Sequence, residues 1–164
     1  MADKIYNVLF VCTGNSARSI IAEGLTNNGA RGRFKAYSAG SHPTGVVDPF
    51  AFGALAELHI PTDGFRSKNW DEFAKPDSPP LDFVFTVCDK AAGEACPFWP
   101  GQPMTAHWGV PDPAAFVGSD EDKQTQFRNT AVTLKRRIDL MLSLPIASLS
   151  SMAIERELKD IGTR

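Results

Sequence analysis

Val8-Leu9-Phe10-Val11-Cys12-Thr13-Gly14-Asn15-Ser16-Ala17-Arg18-Ser19-Ile20-Ile21-Ala22-Glu23 is the stretch around which the rest of the chain is read. The apolar run Val8 to Val11 suits a strand covered on both faces. Gly14 and Asn15 are residue types that tolerate the positive φ angles of a tight loop. From Ala17 onward, Ala17, Ile21 and Leu25 share one face at helical period, and Asn28-Gly29 supplies a stop. The order is strand, loop, helix.

Cys12 and Arg18 bracket the loop with five residues between them. A loop of that length wraps an oxyanion with backbone N–H groups, and the helix N-terminus adds its partial positive charge. Thr13, Gly14, Asn15, Ser16, Ala17, Arg18 and Ser19 are therefore the expected oxyanion-binding residues, with Arg18 offering a planar fork to two oxygens. The same donors stabilise a thiolate, so the setting is expected to lower the pKa of Cys12 from the roughly 8.5 of a free cysteine. Asn15 and Ser19 are expected to hold the loop and tune that thiolate by hydrogen bonds. The bland alternative is a structural cysteine before an ordinary helix.

The chain has 164 residues, enough for one domain with a sizeable core over 1–164, in which 145–164 reads as a C-terminal helical extension. A net charge of −2 gives no electrostatic case for nucleic acid or an anionic membrane surface. No apolar run reaches the length of a membrane span, and Met1-Ala2-Asp3-Lys4 leads into a strand without the pattern of a signal peptide, so a cytoplasmic protein is expected. Three cysteines argue against a secreted disulfide framework, and His42, His59 and His107 are scattered, so no zinc site is expected.

Along the chain, strands are expected over Ile5–Val11, Phe34–Ser38, Leu81–Val87 and around Thr105–Trp108. Helices are expected over Arg18–Asn28, Asp48–Leu58, a short one capped by Asn69, a long one from Ser119 to about Leu144, and a last one from Ser148–Ser151 to about Lys159. Strands alternating with helices imply a parallel sheet covered on both sides, with active-site residues at the carboxyl ends of strands. Cys12 and Cys88 both end strands and Asp112 follows one, so the three are expected to converge. Cys96 sits in the loop after Cys88. Cys88 also reads as a core cysteine, Cys96 as a loop residue without a role, and Asp112 as a turn residue between prolines. His107 and Trp108 are expected to pack or fix the loop that carries Asp112, and Trp99 to anchor local packing.

The loop Cys12 to Ser19, Glu23, the segment Ser38-Ala39-Gly40, the strand ending at Cys88 and the late pair Asp112-Pro113 resemble the low-molecular-weight phosphotyrosine phosphatase superfamily, which includes the thiol-dependent arsenate reductases. The resemblance runs from about residue 5 to 144. It implies a three-layer, flavodoxin-like fold with a four-stranded parallel sheet, helices on both faces and an anion-binding loop after strand one. It also implies Cys12 as nucleophile, Arg18 as anion clamp and Asp112 as general acid.

Two branches differ in detail. Phosphatases of this kind usually carry a second cysteine before the loop arginine and a tyrosine after the acid-proline pair, where this chain has Ala17 and Ala114. The reductase branch ends its third strand with a cysteine and places another, followed by proline, in the next loop, as Cys88 and Cys96-Pro97 do here. The segment Asp89 to Ala95 is one residue longer than in thioredoxin-coupled members. What this branch implies is arsenate reduction through a Cys12 adduct and a Cys12/Cys88/Cys96 disulfide relay, with a thioredoxin or glutaredoxin/glutathione reductant. Residues matching Asn15, Glu23 and Ser38, with Asp71 the candidate for a downstream aspartate, line a monovalent-cation site in reductase relatives, which points to potassium. The alternatives are a phosphomonoester phosphatase using Cys12, Arg18 and Asp112 alone, and a non-catalytic oxyanion- or redox-sensing module.

Overall fold

The computed structural model describes residues 4–88 and 99–164. Four parallel strands, β1 (Tyr6–Cys12), β2 (Phe34–Gly40), β3 (Phe83–Thr86) and β4 (Met104–His107), form one sheet in the order β2-β1-β3-β4. Around them lie α1 (Arg18–Gly29), α2 (Pro49–Glu57), α3 (Asp120–Leu142) and α4 (Ser151–Ile161), with a 3-10 turn at Trp70–Phe73. The expected fold is the observed one.

Strand alternation explains the layers. By register, Val8 and Phe10 share a face with Ala36, Ser38, Phe83 and Phe85, while Leu9 and Val11 share the other with Tyr37 and Val84. Val8 to Val11 are all at most 1% exposed, so both faces are covered. On the first face Ser38 Oγ donates to Glu23 of α1, which in turn packs against α2 and α3. On the second, the Phe73 ring of the 3-10 turn meets Tyr37. Phe10, Phe85 and Trp108 form an aromatic stack beside β4, and Trp108 Nε1 donates to the Leu158 carbonyl of α4 at 2.9 Å. Trp108 therefore packs as expected, and Trp99 does too, edge-on to Trp70.

Caps fall where the sequence places them. Asp48, Asn69, Ser119 and Ser150 each accept a backbone N–H at the start of their helix or turn. Asn69 starts a 3-10 turn of four residues, too short for an α-helix to establish itself. Two readings need correction. β2 does not stop before Ala39-Gly40 but runs through Gly40, because that residue pairs with Cys12. Gly29 stays inside α1, and the left-handed residues that turn the chain are Arg31 and Gly32. Since β1 lies between β2 and β3, the chain reverses direction across the sheet at the β1–β3 junction, where doubly wound folds bind ligands.

Candidate active site

The loop after β1 closes on itself because its carbonyls are held from outside. Cys12 O accepts from the Ser41 N–H (3.2 Å), Thr13 O from His42 (2.9 Å), Gly14 O from Thr44 (3.0 Å) and Ser16 O from Asp48 (2.9 Å). Ser67 Oγ adds a second bond to Gly14 O at 3.1 Å. In a trans peptide the N–H opposes the preceding C=O, and no described peptide is cis. The amides of Thr13, Gly14, Asn15 and Ala17 consequently turn toward the concave side, where the Asn15 N–H lies 3.3 Å from Cys12 Sγ. The start of α1 continues the ring. Its N-cap is Ala17, which makes no side-chain cap, and its first turn holds no acidic residue, so those N–H groups are left for an anion.

Of the two residues expected to relieve the loop, only Asn15 takes a positive φ, +47°. At Gly14 a β-carbon would make a tight contact with the Thr44 methyl, 3.3 Å away. Asn15 is fully buried and braced on both sides of its amide. Its Oδ1 accepts from the Lys68 N–H (2.9 Å), and its Nδ2 donates to Ser19 Oγ (2.8 Å). Ser19 Oγ lies 2.8 Å from Cys12 Sγ.

The expectation of a lowered Cys12 thiol does not hold. Burial pushes the thiol up from its ordinary value, and the nearby Cys88 adds to that rise. Hydrogen bonds from Ser19 and from the Asn15 N–H act in the opposite direction without overcoming it. The donors expected to stabilise the thiolate are present, but at 3% exposure desolvation outweighs them.

Around this loop lies a cleft of about 780 Å³, to which the carboxyl end of every strand contributes. Cys12, Thr13, Gly14, Ser16, Ala17 and Arg18 form its floor after β1, His42 and Thr44 come from the loop after β2, and Cys88 from the end of β3. Gly109, Val110, Pro111, Asp112 and Ala114 close it after β4. Cys88 is buried, and its Sγ is 3.4 Å from Thr13 Oγ1, within the loop itself. Arg18 Nη1 donates to Val110 O (3.1 Å), and its Nη2 lies 3.8 Å from Asp112 Oδ2. Asp112 Oδ1 accepts from the Ala114 N–H (3.0 Å), which orients the carboxyl group over the cleft's edge. Cys12, Arg18, Cys88 and Asp112 thus converge as the sequence predicts. Cys96, the remaining thiol of the expected relay, lies outside the described residues.

Residues 7–155 match the low molecular weight phosphotyrosine protein phosphatase family. The chain belongs to that family. An arsenate reductase of Halalkalibacterium halodurans is 36% identical over 131 residues, covering 80% of this chain and 91% of its own. A solved arsenate reductase in its phosphate-binding state superposes with a TM-score of 0.68 at 27% identity, covering 84% of this chain and 97% of that one. A low molecular weight protein tyrosine phosphatase from T. tengcongensis is similarly close, with a TM-score of 0.67 at 25% identity over 82% of this chain and 95% of that one. The phosphatase-family scaffold is therefore common to both chemistries.

Within that scaffold, sequence reasoning missed several contributors. Lys68 is buried, donates through Nζ to Arg66 O (2.9 Å) and lies 3.9 Å from Glu23 Oε1. Burial pushes the Glu23 carboxyl up and the Lys68 ammonium down, and each one's charge opposes the shift of the other. Arg137, also buried, donates through Nη1 to the Trp108 and Gly109 carbonyls (2.8 and 3.1 Å) and braces the segment leading to Asp112. Buried cations leave no periodic trace in a sequence, and nothing there marks them. Ser67 was within reach of the reading, since a hydroxyl beside a tight loop commonly bonds its backbone. Asp71 is exposed on the 3-10 turn, where Asn69 caps its N–H. His107 Nδ1 pairs with Thr86 Oγ1 at 2.8 Å. No described helix is long and apolar enough to cross a membrane.

Proposed function

We propose that this chain is a thiol-dependent arsenate reductase. The observation that carries the reading is a second buried sulfur, Cys88, lining the same cleft as Cys12 and touching the anion loop through Thr13. Arsenate shares the tetrahedral shape and charge of phosphate, which suits a ring of amides closed by the Arg18 fork. Cys12 thiolate attacks arsenic, and protonated Asp112 gives its proton to the departing hydroxyl, which leaves as water. Cys88 thiolate then attacks Cys12 Sγ. The sulfur–arsenic bond breaks with its electron pair staying on arsenic, so arsenic(V) becomes arsenic(III) and leaves as arsenite, while Cys12–Cys88 becomes a disulfide. Cys96 thiolate next attacks Cys88, restoring Cys12. An external dithiol of the thioredoxin or glutaredoxin/glutathione class reduces the Cys88–Cys96 pair. Such a cycle belongs in the cytoplasm, where thiol reductants are maintained. A phosphatase needs only the first step, finished by water.

The test compares arsenate turnover, with thioredoxin or glutaredoxin/glutathione systems, against hydrolysis of an aryl phosphate. Wild type is expected to reduce arsenate, and C88S to lose that turnover while still binding phosphate in the loop. Undiminished arsenate turnover in C88S would overturn the relay. Aryl phosphate hydrolysis that survives loss of Cys88 and Cys96, with no arsenate reduction, would make the chain a phosphatase.

A further inference from the structure

The resemblance implies a monovalent cation held by Asn15, Glu23, Ser38 and Asp71, and the geometry does not fit one. Asn15 Oδ1 is taken by the Lys68 N–H, and Glu23 Oε1 accepts from Ser38 Oγ at 2.6 Å. Asp71 is exposed on its turn. One oxygen such an ion would use, Glu23 Oε1, is instead approached by an ammonium group. Lys68 Nζ stands 3.9 Å from the Glu23 carboxylate and donates to the Arg66 carbonyl, with its side chain 8% exposed. Arg66 on the same wall is ion-paired to Glu72, so that pair adds no net charge and leaves Lys68 as the cation beside Glu23.

We propose that Lys68 is this chain's built-in cation: a positioning residue that stands where a monovalent metal ion would otherwise neutralise Glu23 and brace the anion loop. The connection to the nucleophile is continuous. Lys68 holds Glu23 through its side chain and Asn15 Oδ1 through its backbone N–H. Asn15 Nδ2 holds Ser19 Oγ, and Ser19 Oγ meets Cys12 Sγ at 2.8 Å. Glu23 extends from α1 and Ser38 from β2, so one charge ties loop, helix and strand together. A tethered ammonium does this at any ionic composition of the medium. The role is the same whether the site reduces arsenate or hydrolyses phosphate, so failure of either reading leaves it standing.

The experiment measures thermal midpoints of the full-length protein in potassium, sodium and choline chloride at equal ionic strength, together with the rate of Cys12 alkylation by iodoacetamide at fixed pH. Wild type is expected to melt at the same temperature in all three salts. K68Q is expected to melt several degrees lower in choline chloride, to alkylate several-fold differently from wild type, and to regain both properties selectively in potassium chloride. K68R, which keeps the charge, is expected to remain insensitive to the choice of salt. A selective stabilisation of wild type by potassium would overturn the proposal, as would a K68Q variant that matches wild type in choline or one whose losses potassium does not reverse. Should K68Q fail to fold, the wild-type salt series and K68R decide the matter.

Discussion

Replacing Ser19 by alanine isolates what tunes the nucleophile. Its hydroxyl lies 2.8 Å from Cys12 Sγ and is one of three groups that act against the rise caused by burial and by Cys88. A hydrogen bond to a charged group contributes about 1.5–3 kcal/mol, so its loss should raise the Cys12 pKa further. The sign follows from the bond favouring the charged form: without the donor, thiolate is harder to make, and the acid limb of the reaction moves to higher pH. Below that limb the S19A rate should be about 10–100-fold slower, the lost hydrogen-bond energy converting at about 1.4 kcal/mol per decade. Asn15 Nδ2 simultaneously loses its acceptor in a fully buried position, at a cost of about 1–3 kcal/mol in unfolding free energy. The assay is the pH dependence of iodoacetamide alkylation in a C88S/C96S background, which leaves Cys12 as the reacting thiol, alongside urea melts. A midpoint that stays in place or moves to lower pH would refute the reasoning.

Two further substitutions probe the loop's surroundings. G40A should lower turnover by at least about tenfold and stability by about 1–3 kcal/mol, because a new β-carbon collides with the Thr13 carbonyl oxygen and stands 3.0 Å from the Asn15 nitrogen, both backbone atoms that cannot step aside. Activity within twofold of wild type would mean the loop is not held by that close approach. T26V should stabilise the fold by about 1 kcal/mol in urea denaturation, since Thr26 Oγ1 is buried in α1 with no hydrogen-bond partner among the described residues, and valine of similar shape removes that desolvated hydroxyl. A loss of stability in T26V would show that the hydroxyl has a partner after all.

What was legible in the chain was local. The capping side chains Asp48, Asn69, Ser119 and Ser150 act on amides two or three residues away, so sequence spacing reports them directly. Cys12, Cys88 and Asp112 were placed together by a rule of topology, that strand ends of a parallel sheet share one edge. What escaped was set by contacts through space. Gly40 matters because β2 passes against the loop, Lys68 because the segment after Gly64 folds back onto α1, and Arg137 because α3 crosses behind Trp108. The direction of the Cys12 shift belongs with these. Donors can be counted from the loop's composition, whereas the desolvation that outweighs them depends on the whole surrounding core.

The division between two chemistries on one scaffold turns on what meets the bound anion from above. Stacking of an aromatic pair contributes about 0.5–1.5 kcal/mol beyond burial, and a phosphatase acting on aryl esters draws on such a wall. Among the described residues the cleft offers Val110, Pro111 and Ala114 on that side, and its one ring is the His42 imidazole on the opposite loop. Among the described residues a phenyl group would find no aromatic wall beside Asp112, whereas the proposed recognition of a bare tetrahedral oxyanion would rest on the amides and Arg18. The same cleft also presents Cys88 beside Thr13, so under the proposed reading an adduct on Cys12 would form next to a second sulfur. Sulfur is a strong nucleophile toward sulfur, and attack at Cys12 is productive only if the departing group can keep the electron pair, as arsenic(V) can and phosphorus(V) does not. Small-anion recognition and a neighbouring thiol reinforce the same chemistry, and each is testable without the other.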